Sequence, residues 1–363
     1  MIGRTLSLYI ASSFTRTLVV MVVSLLAFIV VVDFIDQLRK AAEHPEIPIV
    51  ELLKLSALKA PVFLDKAFPF ASLFAAMITL TQLNLRLELV VARAAGVSAW
   101  QFLMPVSAAA VLIGLFASLV YNPLAVTAFE MSKDVETSIF DAKDRMREAE
   151  PSEYWIQQED ENGSSIVNAR IARDAGRRLD DVRVLRLNEQ GRVYERIDAA
   201  NAELGNGEWT LHNARVMGPD AVAVFHETYR IESDLSDRTV AGVTARPDSM
   251  PIWELPEAAE LVRESGANPG PYLVQLHSLM AMPLFLVAMV LIAATVSLRF
   301  VRFGQVGRMI LGGVVAGFVL YTITKLVTSL GSNGIVPPAV AAWSPSVVAI
   351  VFGISILLHQ EDG

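Results

Sequence analysis

The ionisable residues that could do chemistry in this chain are few and poorly placed for catalysis. The five histidines, His44, His212, His226, His277 and His359, show no ligand-like spacing, and there is no cysteine. Thiolate nucleophiles, disulfides and Cys-ligated metals are therefore excluded. The sequence also lacks a G-x-x-x-x-G-K-[ST] phosphate loop, an H-E-x-x-H zinc motif and a G-x-S-x-G nucleophile turn. It is expected to carry no catalytic residue, cofactor or metal, and to leave any ATP hydrolysis to another chain.

What remains is charge set against apolar surface. In Asn84 to Ser98, Leu87, Val90, Val91 and Ala94 fall on one helical face and Arg86 and Arg93, seven residues apart, on another; Gly96 supplies a stop. Glu88 is the sole acid of this connector. Such a segment is either an interfacial helix with snorkelling arginines or a coupling helix, spanning about 84–95, that inserts into a groove on a motor protein. In the second case Glu88, with Arg86 and Arg93, would pair with charges there. Lys325 is a candidate because it lies in an apolar run, 17 residues past Arg308. That spacing, about 25 Å of helix, brings it near the far interface, either snorkelling or at a cavity mouth.

These charges need a membrane to position them. The chain has 363 residues, 53% hydrophobic and 19% charged, against about a quarter charged in an average soluble chain. Six apolar runs are long enough to approach or complete a crossing: Thr17–Val32, Ala67–Leu85, Trp100–Tyr121, Leu273–Leu298, Met309–Leu330 and Ala339–Leu358. The first has a basic start at Arg4 and Arg16. It continues to Val32, however, and is followed by Asp33 and Asp36 instead of a small-residue cleavage site, so it reads as a span. Lys/Arg counts near span ends favour cytoplasmic termini: Arg4, Arg16, Arg86, Arg93, Arg299, Arg302 and Arg308 on one side, Arg39, Lys40, Lys54, Lys59 and Lys66 on the other.

Residues 130–264 are a different material. They hold 17 Lys/Arg and 29 Asp/Glu, a net −12 within a chain of net −8. That balance argues against a nucleic-acid partner. Tyr154–Gln158, Ser165–Ile171, Asp181–Asn188, Arg192–Asp198, Glu208–Met217 and Ala221–Ile231 are alternating or β-rich runs separated by Gly, Asn and Pro turn signals, as in a sandwich, jelly roll or barrel. A short helix is expected at Glu257–Ser265. The predicted organisation is spans one to three in 1–129, an all-β domain with helical linkers in 130–266, and spans four to six in 267–363.

Three stretches together carry a resemblance. The E-L-V-x-x-R-A-x-G-V-S pattern of Glu88 to Ser98, F-I-D-Q-L-R-K at Phe34 to Lys40, and N-G-I-V-P-P-A-V-A-A-W-S-P at Asn333 to Pro345 are similar to the LptF/LptG permeases of the lipopolysaccharide exporter, the last two more to the LptG member. The resemblance covers the whole chain. It implies an α-helical membrane protein of six transmembrane helices with an inserted periplasmic β-jellyroll. It also implies assembly with a paralogous LptF-like permease, a cytoplasmic ABC ATPase dimer, a periplasmic bridge jellyroll protein and a single-span regulatory jellyroll protein. The implied task is extraction of lipopolysaccharide from the inner membrane. By the same resemblance Arg39, Lys40 and Lys133 stand where the family carries basic residues that meet the lipid's phosphates; Lys325, a candidate by its place in the apolar run, is the fourth expected lipid-binding cation. Asp33 departs from the pattern, occupying a position where a relative carries lysine.

Two other classes fit parts of the sequence. A secondary transporter could use Asp33, Asp36, Asp65 and Lys325 as an ion relay, although these charges fall at span ends and none lies near a midplane. A scaffold could use the β domain to bind a protein and transport nothing.

Overall fold

The computed structural model describes residues 4–43, 47–139, 154–160, 163–173, 177–188, 192–205, 207–218, 223–233, 246–264, 267–298 and 306–362. His44, Arg299, Arg302 and the centres of several expected turns, among them 161–162, 189–191 and 219–222, lie outside them. The chain divides into two compact units, residues 1–139 with 274–363, and residues 140–273.

The first unit is helical. α1 runs Arg4–Lys40, α2 Ile49–Leu85, α3 Glu88–Ala94, and α4 Ala99–Phe116. A π-helical turn, Ala117–Tyr121, carries α4 into α5, Asn122–Ile139. Its later helices, in chain order after the insert, are α7 (Gly270–Ser297), α8 (Val306–Ser332) and α9 (Pro338–Asp362). Among the described residues six helices are long and apolar enough to cross a membrane, counting α4 to α5 as one. The fold is that of an α-helical membrane protein with six transmembrane helices and an inserted all-β domain.

α1 and α2 are each 37 residues. At 1.5 Å per residue that is about 55 Å, well beyond the roughly 30 Å of hydrocarbon. Residues 33–40 and 49–66, which the apolar runs do not include, are therefore helix continued past the expected spans. α2 continues through Pro61 and Pro69. Arg39 and Lys40 consequently stand in the last turn of α1, not in a loop after it.

Packing follows helical spacing and small residues. α1 contributes Ile10, Phe14 and Leu18, four residues apart, to a core shared with Phe102, Leu103 and Val106 of α4 and with Leu286, Met289, Ala293 and Ala294 of α7. Gly114 lets α4 meet α7: a Cβ there would lie 2.5 Å from the Pro283 Cα. Gly313 and Gly317, a G-x-x-x-G pair on α8, sit against Met77 and Leu73 of α2.

The second unit contains β1 (Tyr154–Asp160), β2 (Gly163–Arg173), β3 (Arg178–Leu187), β4 (Val193–Gly205), β5 (Glu208–Met217), β6 (Ala223–Glu232) and the helix α6 (Leu255–Glu264). Six antiparallel strands lie in sequence order, with β1 and β6 at the edges. Alternation places Val182 and Val184, Ile197 and Ala199, Trp209 and Leu211 on one buried face. Asp181 in β3 and Asn213 in β5 take left-handed φ values of 53° and 54°, at breaks in the ladder that bend the strands.

The bend is large enough to roll the sheet. Tyr229 of β6 pairs with Leu211, whereas Glu195 of β4 lies beyond the Arg196–Met217 pair at the far end of β5. In a flat sheet those levels are about 20 Å apart. The Tyr229 hydroxyl nevertheless donates to Glu195 Oε1 at 3.5 Å. The sheet therefore curves enough to bring Tyr229 of β6 within reach of Glu195 of β4.

Candidate functional site

The connector between α2 and α4 is built by one backbone reversal. Leu87 takes a left-handed φ of 61°, with its N–H bonded to the Asn84 carbonyl at 3.0 Å. This resets the helical phase before Glu88. Arg86 and Arg93 therefore do not share a face: Arg86 is exposed, while the Arg93 guanidinium lies 5.7 Å from the Phe102 ring centroid. α3 ends where Gly96 adopts φ +83°, the conformation that glycine reaches without a Cβ penalty.

The faces of α3 also differ from simple apolar periodicity. Leu89 is 4% exposed and joins the core, whereas Leu87 and Val91 are 60% and 67% exposed. One apolar residue anchors the segment and two stand outward, uncovered among the described residues. Glu88 is held at the rim: Arg86 Nη1 is 4.0 Å from its Oε1, and the Tyr9 hydroxyl donates to the same oxygen at 3.4 Å. Tyr9, 79 residues away on α1, ties that helix to the connector. Sequence reading missed it, since nothing local marks one tyrosine in an apolar run.

At the opposite ends of α1 and α2 the four expected cations stand on three helices. Arg39 is exposed on α1. Lys40 is half-buried, its Nζ 3.6 Å from Asp36 Oδ2. Lys133, exposed on α5, places its ammonium 5.1 Å from the Phe129 ring centroid, and Lys325 on α8 is exposed with its ammonium 5.6 Å from that of Tyr321. Asp33 is half-buried, and its Oδ2 is buried without a hydrogen-bond donor, as is Oε1 of Gln37 one turn later. Lys59, by contrast, is committed within the fold, 2.9 Å from Glu136.

The rolled β unit holds a polar cluster on its inner face. Arg186 Nη1 lies 3.2 Å from Glu195 Oε2, with the guanidinium 5.4 Å from the Tyr194 ring centroid. Burial, and after it the Glu195 carboxylate, pushes the Tyr229 phenol above its ordinary ionisation range. Val193, which pairs with Leu187 past a register shift, and Phe225, which pairs with the exposed Arg215, are 54% and 63% exposed and do not continue the inner-face alternation.

Six membrane helices among the described residues and a connector anchored by Leu89 define a multi-pass membrane protein. The family model for the lipopolysaccharide export system permease LptF/LptG matches residues 8–359, and the chain belongs to that family. It is 22% identical over 366 residues to the lipopolysaccharide export system permease protein LptG of Haemophilus influenzae, covering 99% of both chains. It is likewise 22% identical over 367 residues to LptG of Escherichia coli K12, covering 97% of this chain and 98% of that one.

Proposed function

We infer that this chain is the LptG-like permease subunit of an ABC exporter that extracts lipopolysaccharide from the inner membrane and passes it toward the outer membrane. The reading rests chiefly on α3, a segment anchored by Leu89 that turns Leu87 and Val91 outward. A stable helix with uncovered apolar side chains beside the Glu88–Arg86 rim suits docking into another protein. In this reading that protein is a cytoplasmic ABC ATPase dimer, and Glu88, Arg86 and Arg93 form the coupling set. Arg93, stacked on Phe102, transmits displacement into α4. The chain itself hydrolyses no nucleotide.

The remaining assignments follow from the physics of the cargo. Each buried CH₂ of an acyl chain is worth about 0.8 kcal/mol, so extraction needs external work and an apolar path. α1 and α8 leave most of their most apolar windows uncovered within the chain, whereas α7 buries most of its own. The uncovered faces are assigned to the lipid cavity and to a paralogous LptF-like partner. Arg39, Lys40, Lys133 and Lys325 are the cations that meet its phosphates, with Arg39 the most available. The termini are placed in the cytoplasm and the β unit in the periplasm. There the curved inner face of the sheet carries the lipid toward a bridge jellyroll protein, with a single-span jellyroll protein as regulator.

Purification with and without the partner chains tests the reading. ATPase activity should appear only when a separate nucleotide-binding chain copurifies, and Glu88→Ala should weaken that copurification. Glycolipid transport by vesicles containing this polypeptide alone, fed ATP, would overturn it.

A further inference from the structure

The outer parts of α2 and α5 hold a group of oxygen atoms that the export reading does not use. Asn122 is 3% exposed and donates from Nδ2 to Asp65 Oδ2 at 3.3 Å. Asp65 Oδ1 and Asn122 Oδ1 are both buried and, among the described residues, have no hydrogen-bond donor. Reversing the amide would only turn its oxygen toward the carboxylate. The neighbouring Tyr121 hydroxyl does not serve them, because it donates to the Pro61 carbonyl at 2.9 Å. Lys59, a cation on the same stretch of α2, is committed to Glu136 at 2.9 Å.

The backbone adds a further acceptor. Pro69 has no N–H, so the Asp65 carbonyl lacks its helical donor four residues on. The π-helical turn immediately before Asn122 shifts the phase of that helix, a distortion frequent at functional sites. Two side-chain oxygens on residues already joined by a hydrogen bond, one bearing formal negative charge, thus lack donors beside a proline-opened helix. Unpaired buried acceptors of this kind are costly, and a cation removes the cost where a neutral donor is absent.

We propose that Asp65 and Asn122 form a binding site for a hard cation, Ca²⁺ being the best match, that bridges α2 and α5. The donors are all oxygen, which selects hard ions over Zn²⁺ or Cu⁺. Ca²⁺ tolerates irregular coordination completed by water, whereas Mg²⁺ demands near-octahedral geometry. Among the described residues no three His, Asp or Glu side chains converge as metal ligands. One carboxylate must therefore act with neutral oxygens, which sets a weak, exchangeable site. The bridge would hold the two helices together at a second level, about 9 Å along α2 from the Lys59–Glu136 pair that also joins them. It does not depend on the transport assignment.

Tb³⁺, a luminescent substitute for Ca²⁺, tests the site on the full-length chain in glycolipid-free detergent. Tyrosine excitation should give saturable Tb³⁺ emission that Ca²⁺ displaces. Asp65→Asn, which keeps the side-chain shape, should weaken binding about ten-fold or more. Tyr121→Phe should lower the emission while leaving the Ca²⁺-induced rise in Tm intact, and Asp36→Asn should change neither. Should Asp65→Asn elute as aggregate, Asn122→Ala takes its place in the same titration. Emission that is absent in the wild-type chain, or is retained in a folded Asp65→Asn or Asn122→Ala chain, overturns the proposal.

Discussion

Truncating Leu87 and Val91 together should separate docking by α3 from folding of the connector. Both side chains are mostly exposed, at 60% and 67%, so their loss costs this chain less than about 0.5 kcal/mol each. Leu87→Ala retains the Cβ at the left-handed position, so the reversal before Glu88 is unaltered. If a partner groove covers the exposed fractions, the deleted methyl and methylene groups remove about 1.5 kcal/mol at Leu87 and about 1 kcal/mol at Val91. Together that is a dissociation constant roughly sixty-fold weaker. Leu89→Ala is the contrasting change: Leu89 is 4% exposed, and its truncation should cost about 2–5 kcal/mol of local packing. The assay is titration of the purified ATPase against the chain in nanodiscs, with Tm read in parallel. Leu87→Ala/Val91→Ala should weaken binding at unchanged Tm, and Leu89→Ala should lower both. Undiminished ATPase affinity in the folded double variant would refute the assignment of that face.

At the outer cations, Arg39→Ala should reduce photo-crosslinking of lipopolysaccharide more than Lys40→Ala, because Lys40 is half-buried and shares its charge with Asp36; equal effects would count against the distinction. Gly114→Ala should destabilise the helical unit by about 1–3 kcal/mol, read as a lower Tm, since its Cβ would meet the Pro283 backbone at 2.5 Å. The β unit should show an alkaline limit. The folded Tyr229 phenol holds its proton above the ordinary value of 10.0. Its contribution is thus fully present below pH 10 and lost as pH rises toward the folded value. Tyr229→Phe should flatten the loss of stability above pH 10 in denaturant titrations, and an unchanged slope would remove that phenol from the account.

Much of the architecture was legible in the residue order because its causes are local. The six membrane helices among the described residues contain or, at Leu298, nearly contain the apolar runs that predict them, and the six strands overlap the predicted β-rich runs, because a span and a half-buried strand each declare themselves by hydropathy and period. The helical stretches 49–66 and 122–129, outside any expected span or linker for most of their length, were not legible, for their helicity rests on packing of α2 against α5. The connector's exposed face was read only in part. Apolar spacing identified Leu87 and Val91, but a single left-handed residue at Leu87 decided that Leu89 faces the core and that Arg86 and Arg93 part company.

What the sequence determined by itself is therefore the number of spans, the β character of the insert and the absence of familiar catalytic motifs. Each follows from composition and from periods of two to about twenty residues. Tertiary structure alone decided which charges meet. Tyr9 reaches Glu88, Lys59 reaches Glu136, Asn122 reaches Asp65 and Tyr229 reaches Glu195 over separations of 79, 77, 57 and 34 residues. No local preference encodes those meetings, because they depend on how long helices cross and how far a bent sheet curves.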